Sequence, residues 1–141
     1  MTHLLDTDHL TILQRGHGPE HAALLANMSR HPDEVGVSVV SLHEQARGAL
    51  ARINSARTRA DLVGGYGHLF DLIEDYRQLP LVPCDDPAAV LFVQLRSQGV
   101  RIGTMDLRIA AIALSRNLTV VTRNARDFGQ VPGLRTEDWT T

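Results

Sequence analysis

The chain of 141 residues contains no lysine, so all 14 of its basic residues are arginine. Mechanisms that depend on a lysine amine, such as a Schiff base or the lysine-containing phosphate loop of many nucleotide hydrolases, are therefore excluded. Any phosphate contact must come from arginine, whose planar guanidinium binds oxyanions through two parallel hydrogen bonds.

Cysteine and long apolar runs are also scarce. Cys84 is the single cysteine, so no internal disulfide can form, and no histidine stands near it at a spacing that suggests a thiol nucleophile. No apolar run approaches the ~20 residues that cross a bilayer, and the first residues lack the basic and apolar regions of a signal peptide. We expect a cytoplasmic protein with no membrane contact.

The remaining composition is that of an ordinary globular protein. Hydrophobic residues make up 43% of the chain and the formal net charge is −2, so the overall charge gives no sign of nucleic-acid binding. A chain of this length is typical of one domain with a proper core, and we find no linker or repeat. We therefore expect a single domain over residues 1–141.

Short apolar or β-branched segments alternate with segments of helical periodicity. The predicted strands are 1–5, 35–40, 79–83, 118–122 and a short edge strand within 131–136. The predicted helices are 9–15, 20–31, one beginning at 41–44, two within 54–78 that are separated by glycines, 87–99 and 105–114, followed by a polar turn at 123–128. This alternation predicts an α/β fold with a mainly parallel sheet.

Four acidic residues share one local setting: each follows a predicted strand or begins a helix. They are Asp6, Glu44, Asp106 and Asp127. Because the carboxyl ends of parallel strands lie along one edge, these distant residues can meet at one place. Several carboxylates at one place repel one another unless a divalent cation neutralises them, and hard oxygen ligands suit Mg²⁺ or Mn²⁺.

Each of these acids also has a purely structural interpretation as a helix-capping residue. Ser41 and Glu44 match the capping-box pattern, with Glu44 at the third helical position. Thr104 is a suitable N-cap, which makes Asp106 the second helical residue. The other two acids can cap their helices in the same way, and position alone leaves both interpretations open.

Several neighbouring residues have the same two interpretations. We expect the Thr7 hydroxyl to cap a helix and Asp8 to be a solvated acid at the helix start. Arg47 and Arg108 lie beside the candidate acids, and either can reach a phosphate or simply extend from a helix edge into solvent. The seven histidines show no ligand spacing, so we interpret them as surface or packing residues.

Five segments in register give the chain a family resemblance. They are residues 4–8, 41–48, 102–111, 121–128 and 131–139. With these segments the sequence resembles a PIN domain, and more narrowly a VapC-type toxin ribonuclease of a toxin–antitoxin pair. The resemblance implies a three-layer α/β/α sandwich with a small, mainly parallel sheet. It also implies metal-dependent endonucleolytic cleavage of RNA, an antitoxin that covers the active site, and a homodimer.

The resemblance also assigns roles to the acids. Asp6 and Asp106 would be the main ligands of Mg²⁺ or Mn²⁺, and Glu44 would complete the site by holding the metal or the attacking water. Many PIN domains carry an aspartate at the position of Asn124, and here Asp127 lies three residues further on. We therefore take Asp127 as the fourth catalytic acid, with Asn124 close by as a further possible ligand.

Two arginines flank this last position. Arg123 and Arg126 lie on either side of Asn124, and we expect them to contact the RNA backbone.

Two other functions fit parts of the sequence. Asp6 and Asp8 form an Asp-x-Asp pair after a strand, as in phosphohydrolases of the haloacid-dehalogenase type. Those enzymes usually need a lysine, which is absent, and Leu10 stands where a threonine or valine normally follows the pair. The second alternative is a catalytically inactive PIN-like binding module.

Overall fold

The computed structural model describes residues 1–141 and contains five strands and seven helices. The strands are β1 (His3–Leu5), β2 (Val35–Ser38), β3 (Leu81–Val82), β4 (Thr119–Val121) and β5 (Thr136–Glu137). The helices are α1 (Thr7–Arg15), α2 (Pro19–Ser29), α3 (Val39–Asn54), α4 (Arg59–Tyr76), α5 (Asp86–Ser97), α6 (Thr104–Ser115) and α7 (Ala125–Phe128).

The five strands form one sheet in the order β3-β2-β1-β4-β5, and every neighbouring pair is parallel. On the central strand, Leu5 pairs with Val37 on one side and with Val121 on the other. The strands therefore end at the same edge, and the segments that follow them begin side by side. The predicted parallel sheet is confirmed.

Helices cover both faces of the sheet, which gives three layers. One core joins Leu4 and Val120 of the sheet to the buried residues of α5, α6 and α7. The other core joins Leu5, Val37 and Val121 to residues of α1, α2 and α4. These strands are apolar on both faces, as is typical of a parallel sheet covered on both sides. None of the helices has the length and hydropathy to cross a membrane.

Helix α3 begins earlier than the capping-box pattern predicts. The strand predicted to reach Val40 ends at Ser38, whose hydroxyl accepts a hydrogen bond from the backbone N–H of Ser41 at 3.2 Å. Ser38 is therefore the N-cap, and Glu44 lies in the second helical turn with no capping role. The predicted capping box is wrong because Ser38, at the end of the strand, already caps the helix by accepting from one of its free N–H groups.

A continuous helix replaces the two that were predicted between residues 54 and 78. Helix α4 contains all three glycines of that segment. A Cβ on Gly65 would lie 3.0 Å from Ile53 of α3, so glycine allows the two helices to approach closely there. The glycines mark a helix crossing, and the prediction of a break at them is wrong.

Two further helix starts differ from the sequence prediction. Helix α6 begins at Thr104 with Gly103 as its N-cap and no side-chain cap, so Asp106 is the third helical residue. The polar turn predicted at 123–128 contains the short helix α7, which Asn124 caps by accepting a hydrogen bond from the N–H of Asp127 at 3.3 Å.

Candidate active site

A polar cavity of about 420 Å³ lies where β1, β2 and β4 end and α6 begins. Helix α6 leads into β4 and runs opposite to it, so the first turn of α6 reaches the edge at which the strands end. No hydrophobic residue lines this cavity. Its lining residues are Asp6, Thr7, Asp8, Glu44, Asp106, Arg123 and Asn124.

Asp6 caps a helix and also lines the cavity. Its Oδ1 atom accepts a hydrogen bond from the backbone N–H of His9 at 2.8 Å, which makes Asp6 the N-cap of α1. Its own N–H donates to the carbonyl of Val121 at 3.0 Å, so the adjacent strand fixes the backbone at this position. Only 4% of the residue is exposed, and that exposed part faces the cavity.

His9 supports Asp6 from behind. The ring is completely buried, and its Nε2 accepts a hydrogen bond from the backbone N–H of Trp139 at 3.3 Å. In the neutral ring the proton is therefore on Nδ1, which lies 3.4 Å from Asp6 Oδ1 and has no other partner. His9 is a packing residue, as predicted, and it also links the C-terminal tail to the cavity.

Glu44 is oriented by two hydroxyl groups that the sequence analysis did not assign to it. Thr7 Oγ1 donates to Glu44 Oε1 at 2.6 Å, and Ser41 Oγ lies 2.9 Å from the same threonine oxygen. Because the Thr7 proton is directed at Glu44, Ser41 is the donor of the second bond. The predicted capping role of Thr7 is wrong, since Asp6 is the N-cap and leaves this hydroxyl free for Glu44.

Asp106 enters the cavity without any hydrogen bond to its carboxylate. Burial, followed by the negative charges of Glu44, Asp6 and Asp127, raises the pKa of Asp106 to about 6. The carboxylates of Asp6, Glu44 and Asp106 thus face the same cavity, and the other acids repel the ionised form of Asp106.

The fourth acid lies behind the lining of the cavity. Asn124 lines it, whereas the Asp127 carboxylate accepts a hydrogen bond from the Asn124 side-chain amide at 3.0 Å. The amide and the carboxylate thus hold each other across the first turn of α7. A direct catalytic or metal-ligating role for Asp127 stays a prediction.

Two arginines flank Asn124 in the sequence and differ in their contacts. Arg123 donates hydrogen bonds to Asp8 at 2.8 and 3.2 Å and to Glu20 at 2.9 Å. Arg126 is exposed on α7 and has no ion pair. These pairs tie the end of β4 to α1 and α2, and they occupy the Asp8 carboxylate.

A second open cavity of about 510 Å³ shares Glu44 and Asp106 with the first and adds two further arginines, Arg47 and Arg108. The Arg108 guanidinium lies 5.3 Å from the centre of the Phe92 ring, which holds this side chain at the rim of the cavity. Arg123 of the first cavity and the two arginines of the second could only be placed around the same acids once the strand order was known.

The donor set of the first cavity is suited to a hard divalent cation. Three carboxylates, on Asp6, Glu44 and Asp106, and the amide oxygen of Asn124 supply only oxygen ligands. The oxygens of these three carboxylates do not all lie within 4.8 Å of one another, so the side chains would have to move inwards to bind one ion. A pocket of this kind at the carboxyl edge of a parallel sheet is the arrangement expected of an enzyme that acts on phosphate esters.

Comparison with known proteins identifies the family. The PIN domain family model matches residues 4–134. The tRNA(fMet)-specific endonuclease VapC of Salmonella typhimurium is 34% identical over 125 residues, which cover 86% of this chain and 86% of that protein. Ribonuclease VapC5 of Mycobacterium tuberculosis is 34% identical over 106 residues, or 72% of each chain. The chain belongs to the PIN domain family.

Solved structures agree with the fold. The chain in the DNA-bound VapBC structure from Salmonella typhimurium superposes with a TM-score of 0.78 at 25% identity and covers 99% of this chain and 98% of its own. A chain of VapBC-1 from nontypeable Haemophilus influenzae superposes with a TM-score of 0.79 at 20% identity over the full length of both chains. The predicted α/β/α sandwich is confirmed.

Proposed function

We propose that this protein is a Mg²⁺- or Mn²⁺-dependent endoribonuclease and the toxin of a toxin–antitoxin pair. The observation that carries this proposal is the cavity in which Asp6, Glu44 and Asp106 meet, in a chain of the PIN domain family. The relatives named above are an endonuclease and a ribonuclease. We also propose that residues 1–141 form one nuclease domain, which acts in the cytoplasm.

The charge of the cavity supports the need for a cation. Arg123, the one cationic side chain that lines this cavity, already pairs with Asp8 and Glu20, and no cation of the chain lowers the pKa of Asp106. Asp6, Glu44 and Asp106 would hold the ion, and the Asn124 amide is a further possible ligand. When bound, a divalent cation supplies a water of lowered pKa and stabilises negative charge on the phosphoryl oxygens.

The side chains of the cavity have separate tasks in this proposal. One carboxylate oxygen of Asp6 caps helix α1, and the second oxygen accepts no hydrogen bond. Glu44 is held through Oε1 by Thr7, which leaves Oε2 to orient a water for attack on phosphorus. Asp106 accepts no hydrogen bond, so its ionised form has the most to gain from a ligand of opposite charge.

The arginines supply a path for an RNA backbone across the acids. Arg123 lines the first cavity, and Arg47 and Arg108 line the second. Arg126 is exposed two residues after Asn124, which also lines the first cavity. A phosphate would compete with Asp8 and Glu20 for Arg123, while Arg126 has no pair to give up. Because these contacts are to phosphate, they position RNA without reading its sequence.

The exposed apolar face of α4 supports the proposal of a protein partner. Five large side chains on this helix lie within about a quarter of its circumference, at three- and four-residue spacings. They are Leu62, Val63, Tyr66, Phe70 and Ile73, and each is 47–68% exposed. We call this surface the α4 stripe. Tyr76, one turn beyond its end, donates a hydrogen bond to Gln45, the neighbour of Glu44, so the α4 stripe leads towards the cavity.

We assign the α4 stripe to the antitoxin. Structures similar to this chain are VapBC complexes. An amphipathic segment of the antitoxin that lies along the α4 stripe would reach the cavity and cover it. We further propose that the toxin forms a homodimer, which the molar mass measured by sedimentation equilibrium tests.

RNA cleavage by the purified chain tests the central proposal. We expect cleavage of total RNA with Mn²⁺, none with EDTA, and a loss of about a hundredfold or more in Asp106→Asn, because one ligand of the ion is weakened. Asp61→Asn is the matched control, since Asp61 is an exposed acid in the first turn of α4 and lines neither cavity. Cleavage that survives EDTA contradicts the proposal. Folded protein that binds RNA without cutting it favours an inactive binding module.

A further inference from the structure

A second group of metal-ligating side chains lies at the opposite end of β1 from the acidic cavity. His3 begins β1, whereas His31 and Glu34 belong to the segment between α2 and β2. One ligand atom from each of these three residues lies within 4.8 Å of the other two. This is the one group of three histidine, cysteine or acidic side chains in the structure that meets this distance, and the acidic cavity does not.

The backbone fixes the three residues relative to one another. The carbonyl of Glu34 accepts hydrogen bonds from the N–H of Thr2 at 2.9 Å and of His3 at 3.0 Å, which binds the two segments together. The N–H of Glu34 donates to the carbonyl of His31 at 3.2 Å and closes the turn. The side chains therefore start from positions that folding has already brought together, which lowers the entropic cost of gathering ligands.

His3 is arranged as metal-binding histidines are. Its Nε2 lies 3.5 Å from the Glu137 carboxylate, and that carboxylate is itself held by the Trp139 indole N–H at 2.7 Å. Its Nδ1 points the other way, to the Thr2 hydroxyl at 2.7 Å, and that hydroxyl lies 3.3 Å from a carboxylate oxygen of Glu34. A histidine that binds a metal through one ring nitrogen usually directs the other nitrogen at a carboxylate.

His31 and Glu34 complete the donor set. His31 Nδ1 lies 3.1 Å from Glu34 Oε2, and both side chains are partly open to solvent, so an ion has access. Two imidazoles and one carboxylate are borderline ligands that select Zn²⁺ and its late first-row neighbours over Mg²⁺. Neighbouring ligand atoms around tetrahedral Zn²⁺ are about 3.3 Å apart, so binding requires a small inward movement and rotation of the Thr2 hydroxyl.

We propose that His3, His31 and Glu34 form a Zn²⁺ site that is separate from the acidic cavity and leaves the remaining coordination position to water. The ion would join the start of β1 to the segment before β2. It would also brace the C-terminal tail, because the His31 ring stacks on the Trp139 indole at 5.0 Å and 14° and the His3 ring lies 4.8 Å from it. Its role is to stabilise the fold.

Trp139 is the single tryptophan of the chain, so its fluorescence reports on this site. The experiment titrates the full chain with Co²⁺ and Ni²⁺, which quench nearby indoles, in excess Mg²⁺ to occupy the acidic cavity, followed by displacement with Zn²⁺. We expect saturable quenching at one equivalent, its reversal by Zn²⁺, and a higher Tm with Zn²⁺ than without.

Variants locate the ion. His31→Gln and Glu34→Gln each remove one partly exposed ligand and should keep the fold, as circular dichroism would show, while weakening Co²⁺ binding about tenfold or more. His17→Gln, at an exposed histidine outside the cluster, is the matched control and should bind as the unmodified chain does.

Three results would each overturn the proposal. These are no saturable quenching at millimolar ion, unchanged affinity in both ligand variants, and binding that is lost in Asp106→Asn but kept in His31→Gln. None of these readouts depends on RNA cleavage.

Discussion

At the scale of single residues, the acidic cavity stores electrostatic repulsion that the folded chain must carry when no cation is present. The pKa of Asp106 rises from 3.8 to about 6, chiefly through burial and then through the neighbouring carboxylates. A raised acid pKa means that the folded state binds the proton more tightly than the unfolded chain does. The resulting stabilisation is present below about pH 4 and is lost as the pH rises through about 6.

Asp106→Asn should therefore stabilise the metal-free protein at neutral pH. After allowance for solvent screening of a half-buried group, we expect the free energy of unfolding to rise by about 1 to 2 kcal/mol at pH 7.5 in EDTA. The gain should shrink towards pH 4 and reverse in sign in excess Mn²⁺, which stabilises the chain that binds it. Urea unfolding under these three conditions measures all three effects. A variant less stable than the unmodified chain in EDTA would contradict this account.

Thr7 is the residue whose role depends most on the structure. Its hydroxyl is the donor that holds Glu44, so Thr7→Val should lower the RNA cleavage rate about tenfold or more while leaving the circular dichroism unchanged. Thr7→Ser restores the hydroxyl and should recover most of the rate. Thr11→Val is the control, because the Thr11 hydroxyl donates to a backbone carbonyl of its own helix, accepts from Gln45 and makes no bond to Glu44. Equal rates in the valine and serine variants would show that Glu44 does not need this bond.

At the scale of secondary-structure elements, the sequence predicted which segments are helices and strands better than where they begin. Segments rich in valine and threonine were sufficient for β2 and β4, since β-branched residues pack well on a pleated sheet, and a short apolar run was sufficient for β1. The start of α3 was missed because Ser38 and Ser41 are both good caps, and only the end of β2 decides between them. The glycines of α4 were misread because the helix they contact is distant in sequence.

The α4 stripe makes a prediction about recognition by another protein. Phe70 is 66% exposed in its middle, and Phe70→Glu should weaken antitoxin binding by roughly 2 kcal/mol or more, about thirtyfold, because an aromatic anchor is replaced by a charge. RNA cleavage should be unchanged. Val93→Glu, at a 63% exposed residue on α5, is the matched control. Calorimetry with the antitoxin gives the affinity of each variant. A larger loss in Val93→Glu than in Phe70→Glu would place the antitoxin elsewhere.

At the scale of the whole molecule, the parallel sheet explains how separated acids form one site. Asp6, Glu44 and Asp106 could be selected from the sequence because strands alternate with helices and their ends must share an edge. The roles of Thr7, Ser41 and His9 could not, because each depends on a contact across elements or with the C-terminal tail. The arginines of the two cavities likewise required the strand order.

Direct binding of Mn²⁺ is the measurement that tests the central claim without knowledge of the RNA target. In calorimetry at pH 7.5, with Zn²⁺ present to occupy the histidine site, the unmodified chain should bind Mn²⁺ saturably. Asp106→Asn should bind about tenfold or more weakly, and Asp61→Asn as the unmodified chain does. Affinity should also fall below pH 6, where protons compete for Asp106. Equal Mn²⁺ affinity in all three proteins would contradict the assignment of the acidic cavity as the metal centre.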